Sequence, residues 1–298
     1  MMKKTLALAA MLALSAPMAM AREPGSPPLT PTGATVGIPT GAAPPPGFYF
    51  SINGTAQRGN IVDGSGHPLP VKVKVAYSVL TLQYAGTQTI LGGRYSALAI
   101  VPFVHVAQTT PGGKSSKNSV GDISLIPLNL TWMVRPGIFV STGLTLGLPT
   151  GSFDVTGVRP NIGSNSYSAG LSASYSYLRD GWNLTAQATY YVYGKNKDTD
   201  YHSGNEIQVD WTAMKDLGGF SAGLVGYGRW QLTSDRNHGA YYGGTTLGKA
   251  GEVGMGLGVS TKLGKGSLSA YYMTDIYARN TLENDGVFKL TYAIPLGK

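Results

Sequence analysis

The sequence predicts an all-β protein, a transmembrane antiparallel up-and-down β-barrel of about 12 strands in the bacterial outer membrane. Three observations predict this fold: an amino-terminal export signal, long segments in which apolar and polar residues alternate, and connections that alternate between short and long. An alternation with period two gives each strand one apolar and one polar face. In an outer-membrane barrel, the first face meets lipid and the second faces the lumen.

The first 21 residues have the three parts of a secretory signal peptide. Lys3 and Lys4 provide a positive start, an apolar run follows from residue 6 to residue 14, and small residues lead up to Ala21. Cleavage is expected after Ala21. The apolar run is too short for a helix that crosses a bilayer, which needs about 20 residues. We therefore divide the chain into a signal peptide (1–21), a Pro/Gly-rich lead (22–46) and a barrel (47–298).

The composition narrows the classes of partner. Without the two lysines of the signal, 21 basic residues remain against 15 acidic ones, a formal charge of about +6. This mild excess contains no basic run of the kind that binds nucleic acid, so no nucleic-acid partner is expected. It would not repel an anionic solute or the phosphates of lipopolysaccharide. The chain has no cysteine, which excludes disulfides, thiolate metal sites and a cysteine nucleophile.

The lead, residues 22–46, is rich in Pro, Gly and Thr and has no apolar periodicity. Proline lacks the backbone N–H that a strand ladder requires. The composition favours a flexible or polyproline-type segment in the periplasm. A plug folded into the mouth of the barrel is the alternative.

From residue 47 onward the chain alternates in polarity. In residues 167–177, for example, Tyr167, Leu171 and Tyr175 lie on one face and serines lie on the other. The segments hold about ten residues or more, whereas ordinary strands have about 5–6 and strands that cross a bilayer about 9–11. The candidate strands are 47–57, 71–84, 95–108, 121–133, 137–148, 167–178, 182–193, 204–214, 220–231, 250–262, 267–278 and 285–296.

The connections follow the short-long rhythm of outer-membrane barrels. With a periplasmic amino terminus, this topology places Trp132 and Trp182 at the periplasmic rim and Trp230 at the outer rim, as in aromatic girdles. Short periplasmic turns are expected at 134–136, 179–181, 215–219 and 264–266, with a longer one at 85–94, and long outer loops at 58–70, 109–120, 149–166, 194–203 and 232–249.

Parity places a set of polar side chains on the inward face. An Arg or Lys that faces lipid at the midplane costs about 2–4 kcal/mol, so inward placement is strongly preferred. These groups either brace a narrow barrel with ion pairs or form a constriction that selects solutes, and both roles remain open. The candidates for lining the lumen are Glu206, Gln208, Asp210, Tyr227, Arg229, Gln231, Glu252, Lys262, Tyr271, Asp275 and Lys289.

Three strands, 47–57, 95–108 and 121–133, carry apolar residues on both faces. Aliphatic groups on their inward side would suit a narrow lumen for apolar solutes. Gly254, Gly256 and Gly258 alternate with apolar residues and lack the Lys-Ser or Lys-Thr of a phosphate loop. We expect these glycines to face inward and make room in the lumen.

No catalytic or metal site is expected, and no cofactor. Three of the four histidines, His67, His202 and His238, fall in predicted outer loops, and the sequence has no metal-ligand motif. His105 lies within a strand, either at the lipid-facing rim or buried, and no serine partner can be assigned to it by spacing. We therefore do not expect an enzyme.

The order of short motifs from Gly121 to Asp235 resembles the outer-membrane transporter family named for the meta-pathway of phenol degradation. That resemblance implies passage of apolar or aromatic solutes across the outer membrane, and it assigns no substrate residues. One departure is the carboxyl end, which lacks the final aromatic residue that the outer-membrane assembly machinery usually recognises. The motifs are Gly121-Asp122, Gly147-Leu148-Pro149-Thr150-Gly151, Asn161-Ile162-Gly163-Ser164-Asn165, Tyr201 with Ser203-Gly204, and Gly226-Tyr227 followed by Gln231, Thr233 and Asp235.

The sequence thus favours an outer-membrane channel for passive uptake of small apolar or aromatic compounds. A plugged barrel with a structural or surface-interaction role is one alternative, and a lipid-modifying barrel enzyme is another. The expected partners are the solute, outer-membrane lipid and lipopolysaccharide, and the assembly machinery.

Overall fold

A computed structural model describes residues 22–156 and 159–297. The predicted signal peptide lies outside the described residues. Strands dominate, and a short 3₁₀ turn covers Tyr241–Gly244. Within the described ranges, no helix is long and apolar enough to span a membrane.

The strands follow one another along the chain as expected from the alternating pattern, but several are longer than predicted. Their bounds are β1 Gly47–Val62, β2 Pro68–Ile90, β3 Gly93–Thr110, β4 Gly113–Val120, β5 Ile123–Arg135, β6 Ile138–Leu148, β7 Ser168–Tyr177, β8 Trp182–Tyr193, β9 Tyr201–His202, β10 Glu206–Asp216, β11 Phe220–Gln231, β12 Arg236–Asn237, β13 Gly251–Leu263, β14 Gly266–Arg279 and β15 Leu282–Leu296.

Twelve of these strands close into an antiparallel barrel, which confirms the predicted fold. Each long strand pairs with its neighbours in sequence, and β1 pairs with both β2 and β15 to close the sheet. Closure leaves no free strand edge, whose backbone N–H and C=O groups would find no hydrogen-bond partner in hydrocarbon. Each of the twelve predicted segments overlaps one strand of the barrel. The closing pair runs from Phe48 opposite Leu296 to Ile61 opposite Leu282.

Three short strands lie in segments predicted as loops. In the predicted loop 109–120, β4 pairs with the outer half of β3, from Phe103 to Thr110. β9 and β12 pair with each other in the two loops that flank β10 and β11. The alternating pattern did not predict these strands because none of them crosses the membrane. Only a strand that crosses it needs one apolar face towards lipid and one polar face towards the lumen.

The two rims differ as the loop rhythm predicts. Trp132 lies at the periplasmic rim, where its indole Nε1 donates to the carbonyl of Leu91 at 3.0 Å. The hairpin that holds Leu91 is longer than its neighbours because β2 and β3 stay paired to Ile90 and Gly93. Near the same rim, the rings of Phe48 and Tyr84 lie 5.1 Å apart on the outer surface.

The lead runs through the lumen, so the flexible periplasmic segment favoured by its composition is wrong. Arg22 and Glu23 are buried beside the extracellular ends of the strands, and Arg94 at the periplasmic end donates to the carbonyl of Pro44. Between them Val36 is 1% exposed. The lead forms no strand ladder. Its backbone groups bind side chains of the barrel instead, which meets the requirement that buried amides be paired.

The inner face of the barrel has an apolar wall and a polar wall. Residues paired across strands share a face, and the pairs Leu98–Ile126 and Tyr77–Val104 point inward on β2, β3 and β5. The expectation of an aliphatic inward side thus holds for β3. On β5 it holds at Ile126 but not at Ser124 or Asn129, which also face inward. It is wrong for the predicted segment 47–57 of β1, whose inward side is polar because Phe48, Phe50 and Ile52 lie on the lipid face. The inward side of β1 carries Tyr49, Ser51, Asn53, Thr55 and Gln57.

Because the chain has no cysteine, single introduced thiols report on the position of the lead. In the folded barrel, Val36→Cys should react with a maleimide at least about a hundredfold more slowly than Ser65→Cys, because an opening of about 3 kcal/mol suppresses reaction by that factor. Ser65 is exposed in the β1–β2 hairpin and is the control. Equal labelling rates in the folded protein would contradict a seated lead.

Candidate functional site in the lumen

The candidate site is the contact between the lead and the polar wall. At its outer end, Arg22 Nε donates to Glu206 Oε1 at 2.8 Å, and its guanidinium lies 4.0 Å from the centre of the Tyr193 ring. Arg229 Nη1 lies 3.6 Å from Glu252 Oε1 and its Nε 3.8 Å from Glu206 Oε2. Positive and negative side chains therefore alternate along this network, from Arg22 of the lead to Glu206, Arg229 and Glu252 of the wall. This alternation keeps four buried ionic groups paired, which burial requires.

Deeper in the lumen, two charged side chains hold opposite sides of one peptide segment. Asp210 accepts from the backbone N–H of Gly33 at 3.1 Å and of Thr35 at 2.9 Å, and from the Thr35 hydroxyl at 2.9 Å. Lys289 Nζ donates to the carbonyls of Gly33 at 3.0 Å and Ala34 at 2.6 Å. Hydrogen bonds to charged groups contribute about 1.5–3 kcal/mol each. This Asp210–Lys289 clamp is therefore the strongest polar hold on the middle of the lead.

Gln208 joins the clamp to the outer network. Arg229 Nη2 donates to Gln208 Oε1 at 2.8 Å and to the carbonyl of Thr30 at 2.5 Å. Gln208 Nε2 in turn donates to the carbonyl of Pro31 at 3.1 Å. The prolines of the lead keep their carbonyl acceptors although they have no N–H. This part of the lead therefore needs hydrogen-bond donors from the wall, and Arg229 and Gln208 provide them.

Below the clamp the lead is held by packing. Gly37 has φ +80, and a Cβ there would stand 1.8 Å from the Tyr271 hydroxyl, so glycine permits both the turn and the close approach. Gly254 and Gly258 face inward and make room, as predicted: a Cβ would meet the ring of Tyr227 at 2.4 Å or of Tyr271 at 2.6 Å. The buried side chains that pack in this cluster are Val36, Met214, Val225, Tyr227, Tyr271, Met273 and Val287.

Residues 37–41 of the lead are held by uncharged groups that the prediction missed. Thr212 Oγ1 accepts from the N–H of Gly37 at 2.7 Å, and Asn183 Nδ2 donates to its carbonyl at 3.1 Å. Ser141 and Ser176 bind the carbonyl of Thr40 and the N–H of Gly41 at 2.9 and 3.0 Å. The alternating pattern places these side chains on the inward face too. The predicted set contains only charged, amide and tyrosine side chains and therefore lacks them.

The eleven predicted lumen residues take different positions. Glu206, Gln208, Asp210, Arg229 and Lys289 bind the lead directly. Asp275 instead accepts from the Tyr227 hydroxyl at 2.6 Å and from Asn284, within the wall. Gln231 Nε2 donates to Asp235 at 2.6 Å, under the outer loops. Lys262 has inward parity but is exposed next to the turn at the periplasmic end of β13, outside this network.

Two extracellular loops cover the outer end of the lead. The Glu23 carboxylate accepts from Asn196 Nδ2 at 2.6 Å, from the Tyr242 hydroxyl at 3.1 Å and from the Thr199 hydroxyl. Asp235 accepts from the Tyr201 hydroxyl at 2.5 Å nearby. Burial raises the pKa of both Glu23 and Asp235 above their ordinary values, because the charged form loses solvation.

His105 lies on the outer surface of β3, exposed, with Nδ1 2.5 Å from Asn118 Oδ1. The imidazole is thus at the lipid-facing surface, and the amide, not a serine hydroxyl, is its hydrogen-bond partner. In the part of the chain that the structure describes, no three His, Asp or Glu side chains are grouped to hold a metal ion.

A closed barrel of twelve long strands with an apolar outer surface defines a bacterial outer-membrane β-barrel protein. The chain belongs to the family described as "Putative MetA-pathway of phenol degradation", which matches residues 53–290. No curated protein matches the sequence.

Solved structures share the fold. The COG4313 outer membrane channel from Pseudomonas putida F1 superposes with a TM-score of 0.75 at 16% identity, over 86% of this chain and 98% of that one. The β domain of the Bordetella autotransporter BrkA gives 0.51 at 15% identity, over 84% of this chain and 100% of that domain. The translocator domain of NalP from Neisseria meningitidis gives 0.51 at 13%, over 86% and 91%.

We expect Asp210→Asn to loosen the lead while the barrel stays folded. The amide removes the charge and one acceptor from three bonds to the lead, a loss of about 2 kcal/mol, which corresponds to roughly a thirtyfold shift towards the displaced lead. A Val36→Cys thiol in the Asp210→Asn background should therefore react with a maleimide roughly thirtyfold faster than in the wild-type background. Asp63→Asn is the control, because Asp63 accepts two backbone N–H groups in the exposed β1–β2 hairpin, outside the lumen. Equal behaviour of the two variants would contradict the clamp.

The stability with which the two extracellular loops hold Glu23 and the outer end of the lead should depend on pH. Because the seated state has the higher pKa, it binds the proton more tightly than the released state, whose pKa is near 4.5. This contribution to seating is therefore largest below about pH 4.5 and is lost as pH rises through the raised pKa. Glu23→Gln should remove it.

The measurement is the fraction of folded protein whose lead is seated between about pH 4 and pH 8, read from the protection of a Val36→Cys thiol and compared between backgrounds with Glu23 and with Glu23→Gln. His202, whose pKa is lowered chiefly by burial, titrates in both proteins, so its effect cancels in the difference. A wild-type curve parallel to that of Glu23→Gln would rule out this role of Glu23.

Proposed function

We propose that this chain is an outer-membrane channel for the passive uptake of small apolar or aromatic compounds. The observation that carries the proposal is the asymmetry of the lumen. The lead binds the polar wall, and the apolar wall faces it from the other side. Along the apolar wall the inward side chains Val79, Leu98, Ile100 and Ile126 are half-buried. Val75 and Val104, nearer the outer end, pack against a buried cluster that includes Ile162.

The apolar wall suits a flat apolar solute for a physical reason. Burial of apolar surface contributes about 25 cal/mol per Å², and contact between two aromatic rings adds about 0.5–1.5 kcal/mol. Tyr77 lies in this wall between Thr55 and Val104 and offers such a ring. These contacts are strong enough to favour entry yet weak enough for the solute to leave, and passive conduction needs both.

Passage requires the lead to shift or to yield on its apolar side. From Gly37 to Gly41 it is held by neutral hydrogen bonds, each of which contributes about 0.5–1.5 kcal/mol, whereas charged groups hold residues 22–35. Residues 37–41 are therefore the segment that should move first, because they lie between the charged groups that hold residues 22–35 and Arg94, which binds the carbonyl of Pro44. The outer two thirds can remain bound to the polar wall while they do so.

The family name supports the choice of solute, since it refers to phenol degradation. Diffusion down a gradient needs no cofactor, and the role that we propose includes none. A lipid-modifying enzyme has less support, because His105 is paired with an amide. A plugged structural barrel is the second candidate, favoured by the bonds that hold the lead along its full length.

Growth and uptake separate these functions. Cells that lack the protein should grow more slowly on a limiting aromatic carbon source and normally on a sugar. Complementation with the double variant Leu98→Gln and Ile100→Gln should restore less than about a tenth of the uptake rate, because two buried amides without partners cost at least about 1.4 kcal/mol in the path.

Ser51→Gln is the matched control, because it adds the same side chain to the polar inward side of β1. It should complement fully. Full complementation by the double variant would exclude the apolar wall as the path, and normal growth of the deletion strain on all aromatic sources would favour the plugged barrel.

A further inference from the structure

A cluster of basic side chains lies on the outer surface of β1, β2 and β4. Arg58 pairs with Lys74 across β1 and β2, and Lys72 pairs with Thr109, which pairs with Lys114. These four basic residues are exposed. Among the described residues, none of them forms an ion pair. Like charges held this close repel one another unless an anion lies between them.

An open groove of about 780 Å³ lies directly below this cluster on the same outer surface. Its floor is made by small residues, Gly54 and Ala56 on β1 and Ala76 and Ser78 on β2. Its sides are larger side chains, with Phe288 and Leu290 on β15 and Phe103 and His105 on β3. Each floor residue lies two positions or more below a basic residue on the same strand.

The strands place the cluster at the outer boundary of the membrane. On β1 the outward residues from Phe48 to Ala56 are apolar or small, and Arg58 follows. On β2 the outward residues from Tyr84 up to Ala76 are uncharged, and Lys74 follows. Nine residues on each strand match the 9–11 needed to cross hydrocarbon. The basic groups therefore lie at the level of the outer headgroups, and the groove lies in the outer leaflet.

We propose that this surface binds the lipid A part of lipopolysaccharide, with its phosphates on the basic cluster and an acyl chain in the groove. Arginine and lysine side chains at a membrane surface bind anionic headgroups. The two features lie in the order in which a phosphorylated lipid presents its parts, headgroup outward and chain inward. Neither the solute path nor the seating of the lead enters this proposal.

Acidic residues limit the cluster on one side. Glu283 pairs with Asn60, and Asp285 lies in the bulge beside Arg58. They separate the basic surface from the rest of β15 and leave Lys72, Lys74 and Lys114 as its centre. A phosphate should therefore approach over β2 and β4, directly above the groove floor.

The test uses the purified mature barrel in nanodiscs of neutral phosphatidylcholine that contain bisphosphorylated lipid A. Binding is measured by native mass spectrometry and by the rise in unfolding temperature. Lys72→Gln combined with Lys74→Gln should weaken binding by roughly 25-fold, since each basic residue near a membrane surface contributes about fivefold. Gly54→Phe should weaken it separately by filling the groove; a Cβ at Gly54 meets no atom within 4 Å, so the barrel should tolerate the change.

Lys262→Gln combined with Lys265→Gln is the matched control, because both lysines are exposed at the periplasmic end of β13 and β14. Binding by this control should equal that of wild type. Heat-modifiable gel migration identifies any variant that fails to fold, and for such a variant Arg58→Gln replaces it in the same assay. The proposal is overturned if dephosphorylated lipid A or phosphatidylglycerol binds as tightly, or if the Lys72 and Lys74 variant binds like wild type.

Discussion

The structure depends on how the backbone N–H and C=O groups of the lead find hydrogen-bond partners without a paired strand. Proline and glycine deny it a regular partner strand, yet it is buried, and buried amides must be paired. The polar wall provides side-chain partners in place of a strand. Asp210 binds the N–H side of the lead and Lys289 its carbonyl side. Their opposite charges also neutralise each other in a lumen where an unpaired ion would be costly.

The division of the lumen into two walls follows from this arrangement. The polar side chains that bind the lead are concentrated on β6, β7, β8, β10, β11 and β15, where the lead needs donors and acceptors. Apart from Arg94 at the periplasmic end of β3, no hydrogen bond of the described residues joins the inner sides of β2 and β3 to the lead, so these sides can be aliphatic. Val75 and Ile100 would be poor partners for a backbone but are suitable neighbours for an apolar solute. One constraint on a 25-residue segment thus leaves the inner sides of β2 and β3 free to be apolar.

The barrel itself could be predicted because the bilayer imposes alternation over a known length. Tyr167 to Tyr177 shows that pattern in the sequence as clearly as in β7. Parity also assigned Arg229 and Glu252 to the same side of neighbouring strands, and their side chains lie 3.6 Å apart. The lead could not be placed in this way, because its partners are single side chains from eight strands and no periodicity records them. Parity places Thr212 and Ser176 on the inward face, but no sequence pattern shows that their hydroxyls bind backbone N–H groups of the lead.

The path of the lead has a consequence for how the molecule comes together. Glu23 lies among the extracellular loops, whereas the chain enters β1 at the periplasmic rim, so the lead ascends inside a ring of strands closed by β1 and β15. Once those two strands have paired, the lead could enter only along the barrel axis, past the tightly packed side chains of Tyr227, Tyr271 and Met273. A sheet that curls around the segment meets no such obstacle. Inclusion of the lead is therefore a matter of timing: it has to be in place before the first and last strands meet.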